Sequence, residues 1–285
     1  LTVAATISAN TIQTAAPHGL GAGSAVSYSG EIRFVTGVPN STTIVLNAPF
    51  STVPAVNTIL APAISYGLAT ALPSCSIYDY WDPLTTVSRI VTGAAVNTAS
   101  IMVNGDFHEF QFSGPAADLL DSTSGQYGTS GLTSFPSEPA VESFDYSIVP
   151  GHLGQVWLGI PSTQFFTLTS ALVTVKNNLD LRTQEFGSLY PQAVVPGERS
   201  VSIQFTILAQ DDAETSALYA AGKLRTPIPA MLQLGQQQGQ LFGIYFPNVV
   251  PEIPEYVDSG ARLEWQFSGC LAQGTSDDEL YLAFA

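Results

Sequence analysis

Basic residues are scarce in this chain. Eight Lys and Arg stand against 23 Asp and Glu in 285 residues, a formal net charge of −15. A protein that grips the outside of nucleic acid displaces counterions with Lys and Arg, and too few are present for that. Adhesion to an anionic membrane surface is disfavoured for the same reason. Histidine is rarer still: His18, His108 and His152 are far apart and share no zinc-ligand spacing with a cysteine. Two cysteines, Cys75 and Cys270, make no disulfide framework in a chain this long. Both flank β patterns and are expected as free, part-buried thiols, although a bond between them stays open. No apolar run reaches the ~20 residues that a membrane-spanning helix needs. No basic segment opens the chain as a signal peptide would. The start at Leu1 rather than Met points to upstream residues removed or left out. A GxSxG elbow, a Walker loop and a GxGxxG after a strand are all missing from the sequence.

What is present is β pattern on a weakly charged, polar background. Charged residues make up 11% of the chain and apolar ones 45%, so Ser, Thr, Asn, Gln and Gly must build the polar surface. Neighbouring molecules can cover such a surface without stripping water from many charges. The charge is also uneven. Residues 1–78 hold one acidic and one basic residue, Glu31 and Arg33, so the whole excess of negative charge lies beyond them.

Residues 1–70 form a compositional unit. Short β-branched runs (TVAATI, SAVSYS, IRFVTGV, TTIVLNA) are separated by turn signals at Pro17-His18-Gly19, Ser29-Gly30 and Pro39-Asn40. That spacing predicts a small barrel or sandwich. His18 is read as a turn histidine before Gly19 rather than as a catalytic or metal-binding group. Residues 51–85 read as a connection that Pro49, Pro54, Pro62, Pro73 and Pro83 hold extended. Within it, Tyr78, Tyr80 and Trp81 are either a strand packed on a sheet or an exposed platform for a sugar or a partner.

From Ser88 a larger β unit begins. Two strands flank Asn104-Gly105, a dipeptide suited to a two-residue hairpin turn. His108, Phe110 and Phe112 alternate with Phe107, Glu109 and Gln111, predicting one largely aromatic, half-buried face. His108 and Glu109 then point to opposite faces and form no acid–base pair. Asp118–Glu142 is a long Ser-, Gly-, Thr- and Pro-rich connection, either an arm ordered by a neighbouring subunit or a surface loop. Val201, Ile203, Phe205 and Ile207 alternate with Ser200, Ser202, Gln204 and Thr206, a clean two-faced strand. Asp211 or Asp212 caps a short Ala-rich helix that Gly222 is expected to end. Ala261, Leu263, Trp265 and Phe267 share the apolar face of a late strand. The acidic groups Asp211-Asp212 and Asp277-Asp278-Glu279 sit at a helix cap and a turn. Those are structural positions for carboxylates, although a glycosidase needs only two.

Several of these stretches stand together in an order that resembles the phage tail tube protein family. They are Val173–Leu179 (VTVKNNL), Gly187, Pro191, Gly197–Val201 (GERSV) and the strand after it, PNVVPEIPEY, GARLEWQF and the closing DDELYLAF. The resemblance covers roughly Ser74–Ala285. PHGLGAGSAVSYSG, in residues 1–70, resembles a small β-barrel module that decorates several phage tail and baseplate proteins.

The resemblance implies a mainly β protein: an antiparallel β-sandwich/barrel tail-tube fold with a short flanking helix over 71–285, plus a small N-terminal β module over 1–70. It implies a structural virion protein of the tail, assembled in the bacterial host cytoplasm. Its partners would be copies of itself in homo-oligomeric rings (hexamers or pseudo-hexameric trimers) stacked as a tube, and other tail proteins. DNA would pass through the lumen without specific binding, past a wall whose acidic charge repels phosphates. No membrane anchor, enzymatic activity, cofactor, or catalytic, cofactor-binding or metal-binding residue is expected. A baseplate, tail-terminator or secretion-system tube subunit shares the fold, and a carbohydrate-binding β-sandwich module would use Tyr78, Tyr80 and Trp81. In relatives with two tube domains in one chain, the first domain would lie upstream of Leu1.

Overall fold

The computed structural model describes residues 1–81, 87–121, 136–140, 149–159, 162–183, 185–187, 191–258, 262–275 and 277–285. Most of the expected 118–142 connection, the start of the β pattern at Phe144, Pro83 and Ala261 lie outside the described residues.

The first six strands are β1 (Val3–Ser8), β2 (Thr11–Thr14), β3 (Ala25–Tyr28), β4 (Glu31–Asn40), β5 (Thr43–Leu46) and β6 (Ala61–Pro62). They pair in the order β1-β2-β5-β4-β3-β6. Residues 57–60 return to β1: the amides of Val3 and Leu60 donate to Thr58 and Leu1 carbonyls at 2.8 and 2.7 Å. Since Pro62 pairs with Val26 of β3, this run closes the strands into a barrel. Pro62 can stand there because a strand's unpaired side tolerates a residue without an N–H. Val3, Ile12, Val35, Ile44, Leu46 and Leu60 fill the barrel.

The remaining strands are β7 (Ile64–Gly67), β8 (Cys75–Trp81), β9 (Val87–Ala94), β10 (Thr98–Asn104), β11 (Glu109–Ser113), β12 (Asp118–Asp121), β13 (Gly154–Leu158), β14 (Thr163–Phe165), β15 (Leu168–Lys176), β16 (Asp180–Leu181), β17 (Val194–Val195), β18 (Ser200–Leu208), β19 (Ile228–Leu234), β20 (Phe242–Val250), β21 (Glu255–Asp258), β22 (Leu263–Ala272) and β23 (Tyr281–Phe284). One curled sheet runs β11-β10-β15-β18-β22-β20-β19-β13-β14, with β21 on β22, β23 on β20 and β7 on β23. Its β22–β20 junction is short, only Val249 with Ala272 and Val250 with Leu271. The sheet therefore divides into two halves that face each other as an antiparallel sandwich. Val173, Ile203, Phe205 and Phe267 from one half meet Leu232, Ile244 and Phe246 from the other in a common core. β9 pairs with β8 and β12 in a separate three-stranded sheet.

Where sequence and structure part, local packing gives the reason. Pairing between β10 and β11 closes at Met102 with Glu109, so Asn104-Gly105 sits in a wider connection than a two-residue turn. Asn104 stays in register with Ser170 of β15, and the Gly151 amide donates to the Asp106 carbonyl at 2.6 Å. The helix α1 (Ala213–Leu224) is capped by Asp212, whose carboxylate accepts the Thr215 amide at 2.6 Å. It ends at Arg225 in the left-handed region, not at Gly222. Gly222 is a packing glycine: a Cβ there would come 2.6 Å from the Glu252 carbonyl oxygen. The expected 51–85 connection is extended but contributes β6, β7 and β8 to the sheets. Both cysteines are free, with Cys270 buried and Cys75 exposed rather than both part-buried.

Candidate assembly surfaces

The two halves of the sandwich differ in what covers their outer faces. The half made of β13, β19, β20 and β23 is buried on both sides. Its inner face joins the core, and its outer face (Trp157, Met231, Tyr245, Ala283) packs under the barrel's Ala25, Ile32, Phe34 and Ala48. Phe34 stacks on Tyr245 with ring centroids 5.2 Å apart. β20 passes so close that a Cβ on Gly243 would lie 2.9 Å from the Phe34 ring.

Glu31 and Arg33, the lone charged pair of residues 1–78, are the polar core of this joint. The Arg33 side chain is fully buried, 3.3 Å from the Glu31 carboxylate. It donates to the carbonyls of Pro49 (2.8 Å) and Ile32 (2.7 Å) and to the side-chain oxygens of Gln233 and Gln155, both at 3.1 Å. The guanidinium also lies over the Phe50 and Trp157 rings. Burial lowers Arg33 to about 10 against the opposing pull of Glu31, so it stays charged at neutral pH. Burial also tends to raise the Glu31 carboxyl. Hydrogen bonds from Ser51 and Gln155 and the charge of Arg33 overcome this and hold it below the ordinary value. The composition marked these two residues as isolated, but their pairing across one strand residue and their burial against residues more than 120 positions away required the fold.

No described element packs over the outer face of the other half (β11, β10, β15, β18, β22), whose outward residues are half-buried or exposed. Register puts Ser100, Thr174 and Ser202 in one row of that face and Met102, Leu172 and Gln204 in the next. Across β10, β15 and β18 the one charged residue on this face is Lys176, at its margin, and Glu109 and Glu264 stand on the flanking strands. Ser200–Leu208 thus has the alternation its sequence predicts, with Val201, Ile203, Phe205 and Ile207 buried. The segments 177–179 and 197–199 brace this half. Asn177 and Asn178 side chains donate to the Val96 (2.9 Å) and Glu198 (2.6 Å) carbonyls, and Arg199 pairs with Asp277 and with Glu279 at 3.6 Å. The carboxylates of the acidic turn are thereby occupied structurally.

Between the halves, beside edges of β11 and β7 that pair with no further strand among the described residues, lies a mouth with a cavity of about 710 Å³, lined by Ile64, His108, Phe110, Leu241, Phe242 and Phe284. Phe110, Phe242, Phe284 and Tyr66 touch in sequence, with centroids 5.4, 4.7 and 6.1 Å apart. The aromatic face expected for β11 exists, yet every residue of that strand is exposed, because the strand is an edge lying over this opening. Both ring nitrogens of His108 are buried without a hydrogen-bond partner, and burial lowers its pKa.

The other singled-out groups fall apart. His18 is buried in its turn, its Nδ1 accepting the Leu20 amide at 3.0 Å and its Nε2 3.2 Å from the Asn40 carbonyl. Tyr78 and Tyr80 alternate with Trp81 along β8, so the three do not share one face. No group of His, Cys, Asp or Glu among the described residues is arranged to hold a metal. No helix among them is long and apolar enough to cross a membrane.

Fold and surface define a class of β-sandwich proteins, with one polar face and apolar groups on strand edges that pair with no further strand among the described residues. A family model described as phage tail tube protein matches residues 2–267, which takes in the barrel and most of the large sheet. The chain belongs to that phage tail tube family and is a structural component of the virion tail. No curated protein matches it.

Proposed function

We propose that the protein is a tail tube subunit that assembles into rings, hexameric or pseudo-hexameric from trimers, which stack around a channel for the genome. The open face of β10, β15 and β18 carries this reading: it is broad, polar and almost uncharged. A channel wall of hydroxyl and amide groups offers DNA phosphates no Lys or Arg cluster to bind, so the strand slides without counterion-driven attachment. Acidic groups stand at the start of α1 (Asp211, Asp212, Glu214), while the register puts Glu109, Glu264 and Glu255 on the flanking strands of the open face. Strand edges that pair with no further strand among the described residues, a hazard in a monomer, supply joints between subunits.

In this reading residues 1–70 are a module on the tube exterior, since the barrel covers the face opposite the open one. We assign no enzymatic role, no specific DNA contact and no membrane anchor. Assembly takes place in the host cytoplasm with other tail proteins. Negative-stain electron microscopy of the concentrated protein beside its solution mass tests the proposal. Hollow rings or tubes of uniform width support it. Rings that never stack point to a terminator of the same fold, and a monomer at every concentration refutes it.

A further inference from the structure

We propose that the outer wall of the barrel is an interaction surface for a second copy of this chain, joined two-fold through an apolar ridge of Ile7, Val53, Val56 and Ile59. The contact goes beyond the ring reading and does not depend on it.

The ridge is built by the run that closes the barrel. Residues 53–59 lie antiparallel along β1. The Asn57 amide donates to the Val3 carbonyl at 2.8 Å, the Thr6 hydroxyl donates to the Pro54 carbonyl at 2.8 Å, and Thr2 bridges to Ile59. Val53, Val56 and Ile59 recur at every third residue of the run, and Val53 stands beside the end of β1 that carries Ile7. Ile7, Val53, Val56 and Ile59 are 60, 58, 59 and 69% exposed. β1 has β2 on one side and this run on the other, so side chains and not an added strand make the contact.

Charge selects the partner. Residues 1–78 hold two charged side chains, Glu31 and Arg33, and both are buried, whereas the rest of the chain carries the whole net charge of −15. Two copies that approach through their barrels therefore meet without the like-charge repulsion that opposes them elsewhere. A sugar has no ring to stack on here, because Phe34 and Phe50 are buried and Tyr28 packs edge-on against Phe50.

Shape selects the symmetry. Among residues 1–63 the other large apolar side chain left exposed is Val38, alone on β4 across the barrel. The ridge thus finds its apolar counterpart on a barrel in the same ridge of another copy, which makes the contact isologous. Its four side chains present roughly 300 Å² of apolar surface, the size of patches that often mark an interaction site. Exposed Ser8, Thr52 and Asn57 flank it as a polar rim. That area is below the ~800 Å² per partner of a lasting complex, so the dimer is weak and reversible. In a stack whose rings all point one way, no two-fold relates the copies. The contact therefore pairs free subunits, or tubes lying side by side.

Sedimentation velocity of Val56 variants, below the concentration at which rings form, tests the proposal. Val56 is the middle residue of the run and lies closest to the two-fold axis. The wild-type chain should show a reversible monomer–dimer equilibrium in the micromolar range. Val56→Asp and Val56→Lys each set two like charges across the axis, and each should raise the dimer Kd at least tenfold. An equimolar mixture of the two should recover the dimer. Melting should be unchanged in both, because the side chain is exposed. As a second reading, Val56→Cys in a Cys75→Ser chain should form a disulfide dimer on mild oxidation, and Val38→Cys in the same background should not. A wild-type chain that shows no dimer, charged variants that dimerise as the wild type does, or a Val38→Cys cross-link as strong as the Val56→Cys one overturns the proposal. Rings or tubes formed by the Val56→Asp chain keep the ring reading standing whatever the dimer does, and their absence from both that chain and the wild type overturns that reading alone.

Discussion

Arg33→Met is the perturbation that tests most directly how the barrel is held on the sheet. The guanidinium is fully buried and makes four hydrogen bonds of 2.7–3.1 Å besides its pairing with Glu31. Methionine fills much of the volume but leaves the Glu31 carboxylate buried without its counter-charge, and leaves the Pro49 and Ile32 carbonyls short of a donor. Breaking a buried ion pair from one side costs about 3–5 kcal/mol, which for a chain of this size lowers the melting temperature by about 6–15 °C. Adding Glu31→Gln should restore more than half of that loss. The neutral amide needs no counter-charge, and the Gln155 side chain, released from Arg33, can turn its oxygen toward it.

The pH dependence of this variant has a definite sign. In the wild type the Glu31 pKa lies below its ordinary value, so its contribution is present at neutral pH and is lost as pH falls through the folded pKa. In Arg33→Met, burial without Arg33 raises that pKa. The neutral acid then suits the site, and stability returns as pH falls. The gap between the two proteins should therefore narrow from pH 7 to pH 4. Melting curves followed by circular dichroism across that range measure it. An Arg33→Met protein within about 0.5 kcal/mol of wild type at pH 7, or a double variant no better than the single one, refutes the reasoning.

Three further outcomes are expected. Under native conditions a thiol reagent should modify Cys75 promptly. It should reach Cys270, which burial pushes up to about 11, only after unfolding, so two equivalents reacting at one fast rate would contradict the packing. Asp212→Ala removes the cap on α1 and should cost about 1 kcal/mol in urea denaturation, whereas Asp211→Ala should cost far less. Gly243→Ala drives a methyl against Phe34 and Ile32 and should destabilise by about 1–3 kcal/mol, more than Gly105→Ala, where no atom lies within 4 Å and the backbone is not left-handed.

The parts of the fold legible in the sequence are those where a single period governs. Ser200–Leu208 alternates because one face is core and the other is open, and the pattern states both facts. MLQLG and QLFGIYFP do not alternate. They show that strands are present but not that the barrel covers a second face, because burial on both sides erases the period. The helix stop was misleading for a related reason: Gly222 answers to the carbonyl of Glu252, thirty residues on, rather than to the backbone angle of a helix end. The aromatic run at Phe107–Phe112 revealed its alternation but not its exposure, since no local pattern distinguishes an edge strand from a central one. For the assembly surfaces, the sequence conveyed scarce charge and family resemblance. Which face stays open depended on strand order.

The pairing of β7 with β23 sets a schedule for folding. Residues 64–67 wait for residues 281–284, and Arg33 waits for Gln155 and Gln233, before barrel and sandwich can lock. Until then Trp157, Met231 and Tyr245 face water. Contacts that span so much of the chain form slowly, because the entropy of closing the loop is lost before any contact rewards it. A growing polypeptide therefore carries a finished barrel beside an uncovered apolar sheet. The interval before docking is when a chaperone, or a premature encounter with another nascent chain, has its opportunity.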